Sequence, residues 1–364
     1  MGVVDFALKY RYNEQKGKNT GGDTTMYAPL ISEYRFDPSE DPKSANFDLM
    51  HYGYVCIVDE NSNVLYSAGD CEDLVFYRSA SKPIQALPVF KYGLHEKLGI
   101  GERESVVMSA SHTGEPFHVE AVESILKKGG FTEDILCMNP THPAYEPANE
   151  ARIRAGIPNR KIFHNCSGKH SAMLLIQKHL GGVPEDYWKP DTPVHNEIAK
   201  TIMTMAETDN MRIGVDGCGV PVFAVGMKNI AISYKNLACP DKVKDDALAG
   251  AIIENRNRIM KYPEMIRGTD YLCSIMNEDP NIIAKGGANG VYGFGLKEQR
   301  LGIGFKFVDG TEAAWPFMIK EILKALGALK PEHEKRLDIL HPTYFVNDNQ
   351  KIVGERRCEI KISI

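Results

Sequence analysis

Apolar residues repeat with a helical period through the middle of the chain and in short β-rich runs toward its ends. In residues 115–128 the apolar positions recur at helical spacing, and Gly129-Gly130 follows as a stop signal. The same reasoning predicts further helices, which run from 167 to the glycines at 181–182, from 242 to 261 and from 313 to 329.

Strand patterns occur toward both ends. Within residues 54–67, two β-rich runs flank the polar turn at 59–63 and predict a hairpin, and residues 344–364 predict a terminal hairpin. A short apolar strand is expected at 302–308. Hairpins at both ends with helices between them indicate an antiparallel sheet covered by helices. The fold class is therefore α+β and not a doubly wound parallel sheet.

Charge and hydropathy exclude several kinds of partner. Basic residues are spread along the 364-residue chain, and the formal net charge is only −5, so we expect no nucleic-acid binding. Apolar stretches fall short of the ~20 residues that span a bilayer, so we expect no membrane contact. Residues 1–18 lack the regions of a signal peptide, and we expect a cytoplasmic protein. The eight cysteines are too sparse for a disulfide framework.

The segment Ser79-Ala80-Ser81-Lys82-Pro83 places a serine and a lysine three residues apart where a helix should begin. Three residues along a helix return to the same face, so the Lys82 amine can reach the Ser79 hydroxyl. A lysine whose pKa is lowered by burial or by neighbouring cations can take the serine proton and make the oxygen a nucleophile. The alternative is a helix-capping serine beside a solvated lysine, since this spacing is common by chance.

A second serine and a second lysine lie near turns. Ser111 comes shortly before the helix predicted at 115–128, and Lys285 precedes Gly286-Gly287. Together Ser111 and Lys285 could supply another serine–lysine pair. In the alternative interpretation Ser111 caps the helix and the glycines merely turn the chain.

Two cysteines lie near glycine turns and beside other side chains that bind metals. Cys166 is followed closely by Lys169 and His170, and Cys218 lies in an Asp216-Gly217-Cys218-Gly219 segment. Two thiols with a nitrogen donor could hold a zinc ion. The spacing is not a metal signature, so buried core thiols are the alternative.

Five motifs stand in order along the chain: Arg78-Ser79-Ala80-Ser81-Lys82-Pro83, Ala110-Ser111-His112-Thr113-Gly114-Glu115, His164-Asn165-Cys166-Ser167-Gly168-Lys169-His170, Asp216-Gly217-Cys218-Gly219-Val220-Pro221 and Ala284-Lys285-Gly286-Gly287. In order and approximate spacing they resemble the motifs of the L-asparaginase II family, the rhizobial-type asparaginases. The resemblance covers about 54–329. It implies a fold similar to serine β-lactamases and glutaminases, a homodimer, and hydrolysis of L-asparagine to L-aspartate and ammonia.

The resemblance also implies roles for individual residues. Ser79 would be the nucleophile with Lys82 as its partner, and Ser111 and Lys285 would form the second pair. The implied zinc ligands are Cys166, Lys169 and Cys218, with Asp216 close behind them. The residues expected to bind substrate are Arg78, His112, His170, Gly286 and Gly287.

The domain organisation expected from these patterns has two parts. Residues 13–25 are rich in Gly, Asn, Thr and Lys, and we expect residues 1–28 to form a mobile N-terminal extension. Residues 29–364 would then form one catalytic domain similar to those of the L-asparaginase II family.

Other functions remain as alternatives. A penicillin-recognising hydrolase would use the same serine–lysine spacing, but the S-D-N and K-T-G triads that accompany it are missing. An amidase acting on another small amide, such as glutamine, fits the same residues. A binding protein without turnover is disfavoured because both serine–lysine pairs are intact.

Overall fold

A computed structural model of the chain describes residues 26–37 and 45–364. Residues 1–25 of the expected N-terminal extension lie outside the described residues. The division into an extension and one catalytic domain therefore stays a prediction.

The strands form two antiparallel sheets. The larger, 8-stranded sheet has the order β10-β11-β1-β2-β9-β8-β7, with β3 paired to β2, and the smaller, 3-stranded sheet has the order β4-β6-β5. The strands are β1 (Ala28–Arg35), β2 (Asn46–Val58), β3 (Val64–Ala68), β4 (Leu74–Phe76), β5 (Arg212–Val215), β6 (Pro221–Gly226), β7 (Ile282–Gly287), β8 (Val291–Leu296), β9 (Leu301–Phe307), β10 (Tyr344–Val346) and β11 (Ile352–Cys358).

Helices fill most of the chain between β4 and β7 and follow β9. They are α1 (Lys82–Gln85), α2 (Leu87–Lys91), α3 (Leu94–Lys97), α4 (Glu102–Ser105), α5 (Pro116–Gly129), α6 (Glu146–Arg154), α7 (Ser167–His179), α8 (Pro193–Ala206), α9 (Met227–Ala238), α10 (Asp246–Lys261), α11 (Leu272–Asn277), α12 (Trp315–Ala325) and α13 (Pro331–Leu340). Among the described residues, none of these helices combines the length and the apolar character needed to cross a membrane.

The antiparallel sheet with helices packed on it confirms the α+β prediction. The hairpin predicted at 54–67 is the turn between β2 and β3, and the terminal hairpin is formed by β10 and β11. The helices predicted at 115–128 and from 167 correspond to α5 and α7. The last predicted helix is shorter than expected, since α12 covers Trp315–Ala325, and the helix expected from 242 begins at Asp246 after a 3-10 turn at Pro240–Lys242.

Helix α9 lies very close to the sheet because β8 and β9 present glycines to it. Gly293 pairs with Gly304 across the two strands. A Cβ atom at Gly293 would come within 2.1 Å of the Tyr234 ring. Tyr234 is fully buried there, and its hydroxyl donates a hydrogen bond to the carbonyl oxygen of Ala80 at 2.7 Å. The sheet, α9 and the segment that carries Ser79 are thus packed as one unit.

Candidate active site

Ser79 lies on a short 3-10 helix, Arg78–Ser81, that directly follows β4 and precedes α1. Pro83 occupies the first turn of α1, where its missing N–H costs nothing. Arg78 has a left-handed backbone with φ of 50°. That conformation is uncommon for a residue other than glycine and indicates that packing around the segment holds it in place.

A cavity of about 790 Å³ opens beside Ser79. It brings both predicted serines, one of the two predicted lysines and the Lys285–Gly287 strand end onto one surface. The residues that line the cavity include Ser79, Ser111, Asn165, Arg267, Lys285, Gly286, Gly287 and Trp315. Cavities of this size commonly hold small-molecule ligands.

Lys82 is fully buried, and its contacts lead to Ser111. The Lys82 Nζ donates hydrogen bonds to the Ser111 Oγ at 2.9 Å, to the Ala110 carbonyl at 2.8 Å and to the Asn165 carbonyl at 3.3 Å. Within the described part of the chain, no hydrogen bond joins Lys82 to Ser79. Burial, reinforced by the charge of Lys169, lowers the pKa of Lys82 below that of a free lysine. A lysine in this state can exchange a proton with Ser111.

Lys285 lies on β7 and is also buried. Its Nζ donates to the carbonyl oxygen of Gly286 at 2.7 Å. Burial first, and then the charges of Lys82 and Arg267, lower the pKa of Lys285 to about 8. The cavity therefore holds an amine that changes its charge close to neutral pH.

The end of β7 touches the Ser79 segment directly. A Cβ atom at Gly287 would lie 2.4 Å from the carbonyl oxygen of Tyr77 and 2.9 Å from the backbone nitrogen of Ala80. Only glycine permits this approach. The contact sets the position of Ser79 relative to Lys285.

The backbone of Ser111 is held by a loop that is remote in sequence. The Ser111 N–H donates to the carbonyl of Ile266 at 3.0 Å, and Arg267 donates to the Ser111 carbonyl at 3.0 Å. The same loop is tied down by the buried Glu115 carboxylate, which accepts a hydrogen bond from the Thr269 N–H at 3.0 Å. Ser111 therefore has a defined position before any ligand binds.

The two histidines expected to bind substrate lie away from the cavity lining. His112 is fully buried with its Nε2 2.7 Å from the Ser167 Oγ, and it stacks on His118. His170 is also fully buried, and its Nδ1 lies 2.8 Å from the Tyr187 hydroxyl. Burial lowers the pKa of both His112 and His170 well below the usual value, so both rings are neutral.

The predicted metal ligands come together in a second buried cluster. The Lys169 Nζ lies 3.1 Å from the Cys218 Sγ and 3.6 Å from the Asp216 carboxylate. A hydrogen bond with Cys218 holds the pKa of the Cys166 thiol well below its usual range, and the nearby lysines act in the same direction. Burial alone would lower the pKa of Lys169, but the negative charges of the two thiols and of the Asp216 carboxylate outweigh it and raise that pKa. Arg78 completes the cluster through its Nε, 2.9 Å from Asp216.

This cluster fits a zinc ion by the chemistry of its donors. Thiolates and a neutral nitrogen are ligands that zinc prefers, and three protein ligands leave one position open. The Lys169 amine, whose pKa its neighbours raise, would have to lose its proton as the ion binds. Among the described residues, no group of three or more His, Cys, Asp or Glu side chains is arranged to hold a metal ion. A zinc ion here would therefore depend on the Lys169 amine as well as on the thiols of Cys166 and Cys218.

The sequence model of the L-asparaginase II family matches residues 43–358, most of the chain. The chain belongs to the L-asparaginase II family. Membership confirms the resemblance seen in the five motifs and makes the protein an amidohydrolase with a small-molecule substrate. A comparison with curated proteins gives no match.

Solved structures with a similar chain are distant from this member of the L-asparaginase II family. The native form of Mglu is 14% identical, with a TM-score of 0.40 over 77% of this chain and 66% of that chain. A β-lactamase from Mycobacterium bovis is 13% identical, with a TM-score of 0.41 over 75% of this chain and 94% of that chain. A Bacillus glutaminase is 11% identical, with a TM-score of 0.39 over 76% of this chain and 91% of that chain.

Two residues at this site of the L-asparaginase II family member, Arg267 and Glu115, were not predicted as site residues from the sequence. Arg267 lies on the cavity but belongs to none of the five motifs. Glu115 closes the second motif, yet its buried position and its bond to Thr269 depend on a loop far along the chain. For Arg267 the sequence offers no signal beyond a charged residue before a glycine.

Proposed function

We propose that this protein hydrolyses L-asparagine to L-aspartate and ammonia by means of a serine nucleophile. The observation that supports it most is the shared cavity of Ser79, Ser111 and Lys285, with Lys82 buried behind Ser111. Amide hydrolysis needs a nucleophile, a proton carrier and donors for the developing negative charge. This cavity contains side chains suited to each of these roles.

The chain's own residues divide the proton transfers as follows. The Ser79 Oγ attacks the side-chain amide carbon and forms an ester, and its proton passes to the departing amine, which leaves as ammonia. Ser111, held 2.9 Å from the Lys82 Nζ, carries that proton together with Lys82. Water then hydrolyses the ester by the reverse proton route, which releases aspartate and restores the Ser79 hydroxyl.

Two lysines serve this chemistry better than one. Each positive charge makes protonation of the other more costly, so one amine can be neutral while the other stays cationic. The charge of Lys82 indeed helps to lower the pKa of Lys285. The cationic partner stabilises the negative charge on the amide oxygen, and we propose the Ser79 N–H as a further donor to it.

We also propose that Cys166, Lys169 and Cys218 hold a zinc ion. When bound, such an ion supplies a fixed positive charge and an open coordination position beside the cavity. Arg78 and Lys169 both contact the Asp216 carboxylate, so this cluster is linked to the Ser79 segment through one side chain. From the family resemblance we further propose a homodimer, which light scattering in solution tests.

The nucleophile is tested by trapping the ester in matched variants. Ser79→Ala should abolish ammonia release and the covalent adduct that intact-mass measurement detects after acid quenching. Ser111→Ala should slow turnover by about 100-fold or more but still form the adduct, because only the proton carrier is lost. Turnover by Ser79→Ala would refute the assignment, and an adduct that disappears only in Ser111→Ala would transfer the nucleophile to Ser111.

A further inference from the structure

Arg267 places a guanidinium on the cavity that contains both serines and Lys285. Its Nη1 donates to the carbonyl of Ser111 at 3.0 Å, and its guanidinium carbon lies 5.6 Å from the centre of the Tyr271 ring. Among the described residues it forms no ion pair with a carboxylate. The side chain is half-buried, so solvent screens its charge only in part.

Arg78, the arginine expected from the family motif to bind substrate, is paired with a carboxylate of the protein itself. The Nε and Nη2 of Arg78 both lie 2.9 Å from the Asp216 carboxylate. Both donors meet the same oxygen, Oδ1, and this contact occupies the N–H edge with which the guanidinium would pair with another carboxylate. Arg267 keeps the corresponding donors for a ligand.

Two acidic side chains near Arg267, those of Glu115 and Asp270, have other partners. Glu115 accepts hydrogen bonds from Thr269 and Thr113. Asp270, which follows in the same loop, is bound to Arg336. Arg267 is also near enough to help lower the pKa of Lys285, so the cavity carries a cluster of positive charge. The Glu312 carboxylate lies on the same cavity and forms no ion pair with Arg267 among the described residues.

We propose that Arg267 binds the free α-carboxylate of the substrate and makes the site selective for amides that carry one. This inference rests on the proposed function, because the bound molecule is taken to be an amino-acid amide. A guanidinium is suited to this task, since it stays charged and matches the two oxygens of a carboxylate. The bond to the Ser111 carbonyl fixes the guanidinium relative to the proton-carrying serine.

The kinetic test compares L-asparagine with L-asparaginamide, in which the α-carboxylate is replaced by a neutral amide. The unaltered protein should prefer asparagine by about 30-fold or more in kcat/KM, the expected cost of leaving one partner of a buried charge pair unmatched. Arg267→Met should raise KM for asparagine by a similar factor and leave asparaginamide nearly unaffected. Arg212→Met is the matched control, because Arg212 is exposed and lies away from the cavity.

The binding test does not depend on turnover. Calorimetry with L-aspartate and with succinate should show dissociation constants about 30-fold weaker in Arg267→Met and partly restored in Arg267→Lys, which keeps the charge. Unchanged binding and unchanged substrate preference in Arg267→Met would overturn the proposal. If Arg267→Met does not fold, Arg267→Lys and the preference of the unaltered protein decide the question.

Failure of the two proposals can be told apart. If asparagine is not hydrolysed but carboxylate binding still depends on Arg267, the proposed reaction is wrong and the carboxylate site stands. If asparagine is hydrolysed and Arg267→Met changes kcat alone, Arg267 only positions Ser111 and the carboxylate site is refuted.

Discussion

Replacing Gly287 by alanine tests whether β7 and the Ser79 segment touch as the structure places them. The added Cβ would lie 2.4 Å from the Tyr77 carbonyl oxygen and 2.9 Å from the Ala80 nitrogen. Both are backbone atoms, so no flexible side chain can move aside. Comfortable separation of non-bonded heavy atoms is about 3.5 Å, so the strand and the 3-10 helix must separate by about 1 Å.

Two effects of known size follow from that displacement. Overpacking of this kind costs about 1–3 kcal/mol in the free energy of unfolding. A displacement of about 1 Å between reacting groups costs about 100-fold in rate, so kcat for ammonia release should fall by that order. Urea denaturation measures the first effect, and steady-state ammonia release measures the second.

The control is Gly250→Ala in helix α10, where an added Cβ meets nothing within 4 Å. Alanine in a helix should stabilise the fold by about 0.5–1 kcal/mol and leave turnover unchanged. Wild-type stability and wild-type kcat in Gly287→Ala would refute the reasoning, because the contact that aligns Ser79 with Lys285 would then not exist.

Three further predictions concern the proton carrier, the metal and the support of the site. Turnover should rise as the pH rises through the pKa of Lys82, which burial lowers below that of a free lysine, because only a neutral lysine accepts a proton. Lys82→Arg should be nearly inactive at every pH, and an optimum on the acid side would contradict this. Cys218→Ala should lose about one zinc per chain by elemental analysis while still unfolding cooperatively, and unchanged zinc would mean that the thiol is only a core residue. Tyr234→Phe and the control Tyr77→Phe should each lose about 1–2 kcal/mol in the free energy of unfolding, because each loses one buried hydrogen bond. The kcat for ammonia release should fall only in Tyr234→Phe, since the Tyr234 hydroxyl bonds the Ala80 carbonyl beside Ser79. Equal kcat values in the two variants would refute this positioning role of Tyr234.

Much of the fold could be predicted from the sequence, because the patterns behind it are local. The helical period of 115–128 and its glycine stop describe α5 to within a residue. The polar turn at 59–63 describes the β2–β3 hairpin equally well. Helix ends were less well predicted, as α12 shows, since tertiary contacts decide where a helix frays.

The motifs in the sequence nominate the residues of the candidate site, but the contacts between those residues cannot be read from spacing along the chain. The three-residue spacing predicted Lys82 beside Ser79, yet Ser79 lies on a 3-10 helix and the Lys82 amine bonds Ser111. Spacing along one helix describes which side chains share a face, but burial decides which distant atoms a buried amine meets. His112 and His170 show the same limit, because the motifs that contain them do not show that packing turns both rings away from the cavity.

By itself the sequence determined the family, the reaction class that comes with it, and the set of hydroxyl, amine and thiol groups available. Only the tertiary structure decided that Arg267, 156 residues from Ser111, joins the same cavity, where it forms no ion pair among the described residues, while Arg78 is bound to Asp216. The reason is physical. Local periodicity and motif spacing arise from the geometry of consecutive residues, whereas the pairing of buried charges depends on contacts that form only when distant segments pack together.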